Sequence, residues 1–206
     1  MTTEGGREQM WKQASMKTWR KLEKLMEDDS RFLYFDDPSV NNASYIPWDY
    51  TDEETGKKRT FGMISYGYPI LRPGALAHEL GHAEVHENAS PLYRGIEKVT
   101  RKVNSFPVLN SSNVLPILGL VGSAVTKNPA WLIGGSGLAL ALQAPTIIDE
   151  YRANKAGEKI LKRVGGSQDD IDDMRSGLPS YLAGTLLPAA GLANGLWSLY
   201  KNKNKS

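Results

Sequence analysis

The chain has 206 residues, a formal net charge of +2 and no cysteine. That length holds one domain with a real core, or a small domain plus a membrane part. The near-balanced charge and the lack of a phosphate-binding loop give no support to a nucleic-acid role, and the missing thiols exclude disulfides and thiolate metal ligands.

The amino terminus, MTTEGGREQMWKQ, has no apolar stretch behind a basic start, so no secretory signal is expected. From about Gly6 to Asp28, Met10, Trp11, Ala14, Trp19, Leu22, Leu25 and Met26 recur at three- and four-residue spacings, which predicts an amphipathic helix. Packing on the domain is the simpler use of that stripe, and lying on a membrane surface is the other. Next, Tyr45–Tyr50 and Thr60–Tyr66 flank the polar stretch Thr51–Lys58, a hairpin signal. A strand just ahead of the following helix offers an edge on which an extended polypeptide can add by backbone pairing.

Pro73 and Gly74 open a helix that runs to about Glu87 and carries His78-Glu79-Leu80-Gly81-His82. This is the HExxH pattern of zinc hydrolases. At four-residue spacing both imidazoles lie on one helix face and reach one metal, while Glu79, off that face, can poise a water as general base. Without thiols, any zinc sits on nitrogen and oxygen, which favours a catalytic over a closed structural site. Gly81 costs roughly 1 kcal/mol relative to Ala in a helix interior, so it marks close approach of another backbone. His86 drifts too far around the helix to share the metal and reads as a helix-end histidine. The plain alternative is a polar helix whose histidines only form hydrogen bonds.

Beyond this helix the composition changes. From Val108 to Ile148 the only charged residue is Lys127, and the run Pro129–Ile148 has twenty residues without charge. As a helix that run is about 30 Å long, enough for a bilayer core. Phe106–Val125 is a second candidate span, weakened by Asn110, Ser111, Ser112 and Asn113, and Leu178–Tyr200 is a third, interrupted by Pro179 and Pro188. Arg94, Lys98, Arg101 and Lys102 before the first span, and Arg152, Lys155, Lys159, Lys162 and Arg163 after the second, orient the catalytic side to the cytoplasm. Lys201, Lys203 and Lys205 fit this only if the third segment turns back, near Pro188. A soluble alternative, consistent with a mean hydropathy of −0.41, buries a helical hairpin with Thr126–Pro129 as its turn, packed through Gly119, Gly122, Gly134, Gly135 and Gly137.

A third ligand is needed, and Glu150 in Asp149-Glu150-Tyr151-Arg152-Ala153-Asn154-Lys155-Ala156 is the best placed. On HELGHA, the paired apolar segments, IIDEYRANKA and SYLAGTLLPAAGLANGLWSL, the region from about Asn41 to Leu199 resembles the YugP-like membrane zinc metallopeptidases, and more distantly the HtpX group. The resemblance implies a zincin-like catalytic part, one Zn2+ per chain held by His78, His82 and Glu150, Glu79 as general base, a polypeptide substrate and contact with membrane lipid. Asn154 stands where the related motif has aspartate, so it can accept a hydrogen bond from a ligand imidazole but brings no charge. Tyr66, Tyr68, Tyr151 and Arg152 are candidates by type for stabilising the oxyanion.

The expected fold is therefore mainly α with a small β-hairpin or sheet, of the α+β class. Its segments are an amphipathic helix (1–30), a catalytic part (31–105), an apolar hairpin (106–148), a helix with the third ligand (149–175) and an apolar helix with a basic tail (176–206). The expected activity is a membrane-associated zinc endopeptidase. A non-catalytic zincin-like scaffold and a soluble metal hydrolase are the alternatives.

Overall fold

The computed structural model describes residues 4–27, 32–36, 43–51, 53, 55–56, 58–66, 72–104 and 114–204. In chain order the elements are α1 (Glu4–Glu27), β1 (Phe32–Asp36), β2 (Ala43–Thr51), β3 (Lys58–Tyr66), α2 (Pro73–Glu87), α3 (Pro91–Asn104), α4 (Val114–Thr126), α5 (Ala130–Val164), α6 (Gln168–Arg175), α7 (Leu178–Ala183) and α8 (Leu186–Lys203). Helices predominate around one small sheet, an α+β chain. They divide into two units, Met1–Asn88 with Asp149–Gly177, and Ala89–Ile148 with Leu178–Ser206. The helix expected to close the catalytic segment, α3, thus groups with the apolar elements, and the stretch that carries Glu150 groups with the sheet.

In the first unit the expected hairpin forms, with β2 antiparallel to β3 and Ser44 opposite Ser65, their hydroxyls 2.6 Å apart. The sequence reading missed β1, which pairs parallel to β3 and makes the strand order β1-β3-β2. The strand directly ahead of α2 is therefore central, and among the described residues the sheet's edges are β1 and β2. Pro47 in β2 fits that place, because a residue without an N–H is tolerated on an edge strand. The core gathers Trp19, Leu22 and Met26 of α1, Ile64 of β3, Leu76 and Leu80 of α2, Ile160 and Leu161 of α5, and Ile171 and Met174 of α6. Burying each such aliphatic side chain stabilises by about 1.5–3 kcal/mol. The part of the α1 stripe whose side chains are described, Trp19, Leu22 and Met26, packs on its own unit; Met10, Trp11 and Ala14 lie outside those described side chains.

Backbone contact between α2 and α5 fixes the site. A Cβ built on Gly81 falls 2.1 Å from the carbonyl oxygen of Ala153, and one on Gly157 falls 2.6 Å from that of Ala77. Two small-xxx-small pairs, Ala77/Gly81 and Ala153/Gly157, thus let the helices touch, which answers the expectation that Gly81 marks close approach. Past the end of α5, Gly165 adopts φ +75° and the N–H of Gly166 returns to the Leu161 carbonyl at 2.8 Å, a left-handed C-cap. Ser167 and Asp170 then form a capping box that starts α6. Arg72, just before α2, pairs with Asp173 of α6.

Gly81→Ala is expected to destabilise the chain by about 1–3 kcal/mol, although Ala is the better helix former, because overpacking against a backbone cannot relax by rotamer change. A lower midpoint in thermal or urea unfolding tests this; an unchanged or raised midpoint removes the crossing as a constraint.

In the second unit α4 and α5 form the predicted hairpin. Lys127 at φ 56° makes the turn, and Asn128 Oδ1 caps α5 by accepting the Ala130 N–H at 3.0 Å. Gly119 and Gly135 lie at the crossing, where a Cβ on either would fall 2.7 Å from the Trp131 oxygen and 2.4 Å from the Leu115 oxygen respectively, while Gly134 and Gly137 face open space. Among the described residues one helix, α5, is long and apolar enough to cross a membrane, and α4 has only 13 residues. The first part of the expected Phe106–Val125 span lies outside the described residues. Leu178–Tyr200 is not one helix, since it breaks at Gly184 and Thr185, where the Thr185 hydroxyl bonds to the Leu182 carbonyl at 2.7 Å. The break therefore precedes Pro188, which sits in the first turn of α8, where proline costs little.

Candidate metal centre

α2 presents His78 and His82 one turn apart, and the crossing at Gly81 and Ala153 brings the first turns of α5 beyond Ile148 against them. His78, His82 and Glu150 each offer a ligand atom, all within 4.8 Å of one another. His78 Nε2 lies 3.1 Å from His82 Nε2 and 3.0 Å from Glu150 Oε2, and His82 Nε2 lies 3.7 Å from Glu150 Oε1. A tetrahedral centre with bonds of about 2.0–2.1 Å separates its ligand atoms by about 3.3 Å, so the cluster has the right size for zinc.

The outer nitrogens explain why these atoms face inward. His78 Nδ1 is 3.0 Å from Asn154 Oδ1, and His82 Nδ1 is 3.1 Å from Asp149 Oδ2. Each partner accepts, so each Nδ1 donates, and with both rings neutral the two Nε2 lone pairs would face each other at 3.1 Å. That arrangement is repulsive unless a cation sits between them. A proton meets the need partly and a divalent metal fully, so the residues present fit zinc.

Asp149 is the residue that sequence reasoning overlooked. Asn154, expected to supply an uncharged contact to a ligand imidazole, does so on His78. The charged contact comes from the residue before Glu150, and it falls on the other histidine. An acidic pair at the head of the motif was the available signal.

The electrostatics follow from burial and neighbours. Burial disfavours charge on His82, but hydrogen bonds to Asp149 and Glu150 outweigh it and raise the imidazole to about 10. Glu150 responds inversely: burial works against its charge, while hydrogen bonds from His78 and His82 hold it down at about 2. For Glu79 burial dominates and pushes the carboxyl up, against the pull of both histidines and a hydrogen bond from the Tyr45 backbone N–H. The Tyr45 ring lies parallel to His82, centroids 6.3 Å apart with 4° between planes.

Among the described side chains, His86, Tyr151 and Arg152 are not part of the cluster. His86, in the last turn of α2, has its ring 6.3 Å from Tyr45. Tyr151 is exposed with Lys155 Nζ over its ring, Arg152 is exposed, Tyr66 ends β3, and Tyr68 lies outside the described residues. Compared with protein-family models, curated proteins and solved structures, the chain matches none. The chemistry of the site therefore rests on its own geometry.

Proposed function

We propose that the chain is a zinc-dependent endopeptidase of the zincin type, anchored in a membrane, with His78, His82 and Glu150 holding one Zn2+ and Glu79 as general base. The observation that carries this reading is the pair of Nε2 atoms 3.1 Å apart with both Nδ1 atoms engaged by acceptors. The order of features that resembles the YugP-like metallopeptidases supports it. Bound there, zinc supplies Lewis-acid polarisation of the scissile carbonyl and the attacking water. Glu79 takes the proton of that water and delivers it to the leaving amine. Asp149 and Asn154 hold the two rings in the tautomer that leaves Nε2 free. The outer edge of β2 suits an extended polypeptide, which would lie beside Tyr45 and Glu79 by added-strand pairing.

The membrane part of the reading rests on exposure. A core helix of a soluble protein is mostly buried, whereas 17% of the most apolar stretch of α5 is buried. Trp131 and Leu138 on α5, Leu118 and Val121 on α4, and Leu196 and Trp197 on α8 are all exposed. The basic residues that flank the apolar run favour a cytoplasmic catalytic side.

Metal content by elemental mass spectrometry tests the centre. Near one zinc per chain is expected in wild type and little in His82→Ala or Glu150→Ala, with helical circular dichroism checked in each. Zinc-free wild type prepared without chelators would overturn the hydrolase reading.

A further inference from the structure

Helices α1 and α3 are both amphipathic, and they use their apolar faces differently. α1 buries Trp19, Leu22 and Met26 in its own unit. In α3, Leu92 is 75% exposed, Ile96 42% and Val99 64%. At 3.6 residues per turn these three fall within about 60° of one another around the helix. Arg94 and Lys98 fall on the other side by the same spacing, and the sequence adds Arg101 and Lys102 to the helix. With Glu97 as the one acidic residue, four positive charges less one negative leave α3 at +3. The start of the helix is fixed locally: Ser90 Oγ accepts the Tyr93 N–H at 3.2 Å, the Ser90 carbonyl accepts the Arg94 N–H at 3.0 Å, and Pro91 takes the first helical position. The helix is thus capped before its aliphatic stripe has been covered.

An aliphatic stripe opposite a basic face is the pattern of a helix that lies in a membrane interface. The core of a protein–protein contact is depleted in charge, whereas cations flanking an apolar stripe complement anionic headgroups. We propose that α3 docks in the plane of an anionic phospholipid surface, with Leu92, Ile96 and Val99 at the acyl boundary and its basic residues among the headgroup phosphates. The proposal rests on the membrane reading above in one respect, since the apolar hairpin that follows α3 in the chain would hold it at that surface.

The absence of cysteine makes the test simple, because one introduced thiol takes one label. The full chain is placed in nanodiscs of phosphatidylcholine, alone or mixed with phosphatidylglycerol, with an environment-sensitive fluorophore on Val99→Cys or, in a separate sample, on Leu138→Cys. The Val99 label should shift to the blue and be quenched by lipid-borne nitroxide in the anionic discs, and do so much less in the neutral ones. Arg94→Gln and Lys98→Gln should each weaken docking about fivefold, as expected for one basic charge near the surface. A Val99 label in water in both lipids, with the Leu138 label embedded, overturns the α3 proposal alone. Both labels in water overturn the membrane reading itself. A Val99 label shielded equally in both lipids and untouched by the quencher means that protein covers the face, which also overturns the proposal.

Discussion

Glu79→Gln is expected to lower turnover of an unfolded-polypeptide or peptide-library substrate by about 10²–10⁴-fold while the zinc content stays near one per chain. The split follows from what the side chain touches. His78 and His82 meet each other and Glu150 through Nε2, and Glu79 is not among those contacts, so the amide leaves the ligand set intact. Glutamine also keeps the shape of the side chain and still accepts the Tyr45 N–H through its carbonyl oxygen. It loses only the ability to take a proton. Retained hydrolysis would remove Glu79 as the base, and loss of zinc together with activity would give it a structural role instead.

The same residue sets the acid side of the activity profile. Burial raises the Glu79 carboxyl above its ordinary 4.5, and a base works only when deprotonated, so activity should fail on acidification at a higher pH than a solvated glutamate would allow. The tuning is useful, because proton transfer is most effective when the pKa of the base lies near the working pH.

Much of this site could be read in the chain because its central element is local. Two histidines four residues apart share a helix face in any fold, and Gly81 signalled a close neighbour before that neighbour was known to be Ala153. Asp149 was harder to find. Its contact with His82 depends on where α5 crosses α2, and that is set by Ala77, Gly81, Ala153 and Gly157 together, across more than seventy residues of chain. The sheet shows the same limit. The β2–β3 hairpin is encoded by neighbours in sequence, whereas the parallel pairing of β1 with β3 is non-local, and the five residues FLYFD give little periodicity to read. Pro47, which lacks a donor, was a signal for an edge strand that the sequence reading did not use. In the apolar segments composition said where helices form but not where they end; the break falls at Gly184 and Thr185, where one hydroxyl bonds back to Leu182.

Zinc should stabilise the chain more strongly as pH rises, while the metal-free chain behaves in the opposite way. In the free protein His82 is raised from 6.5 to about 10, so the stability gained from its charged contacts is fully present below about pH 6.5 and is lost as pH rises toward 10. Glu150 is lowered from 4.5 to about 2, so its contribution is present above about pH 4.5 and lost as pH falls toward 2. Metal-free stability from this cluster is therefore greatest between those windows. Zinc needs the imidazole without its proton and must expel it at neutral pH, so apparent affinity should rise about tenfold per pH unit below the His82 value. At saturating metal, the hundredfold gain between pH 6 and 8 adds about 2.7 kcal/mol to the zinc-dependent stabilisation. Thermal unfolding with zinc or with chelator across that range measures both trends, and release of one proton per zinc can be read from titrations in buffers of different ionisation enthalpy. Asp149→Asn separates the causes. Without that carboxylate His82 should hold its proton less tightly, zinc should bind about 10–100-fold more weakly, and the pH slope should flatten. A variant that binds zinc as wild type does, with the same slope, would mean that Asp149 neither orients His82 nor sets its charge.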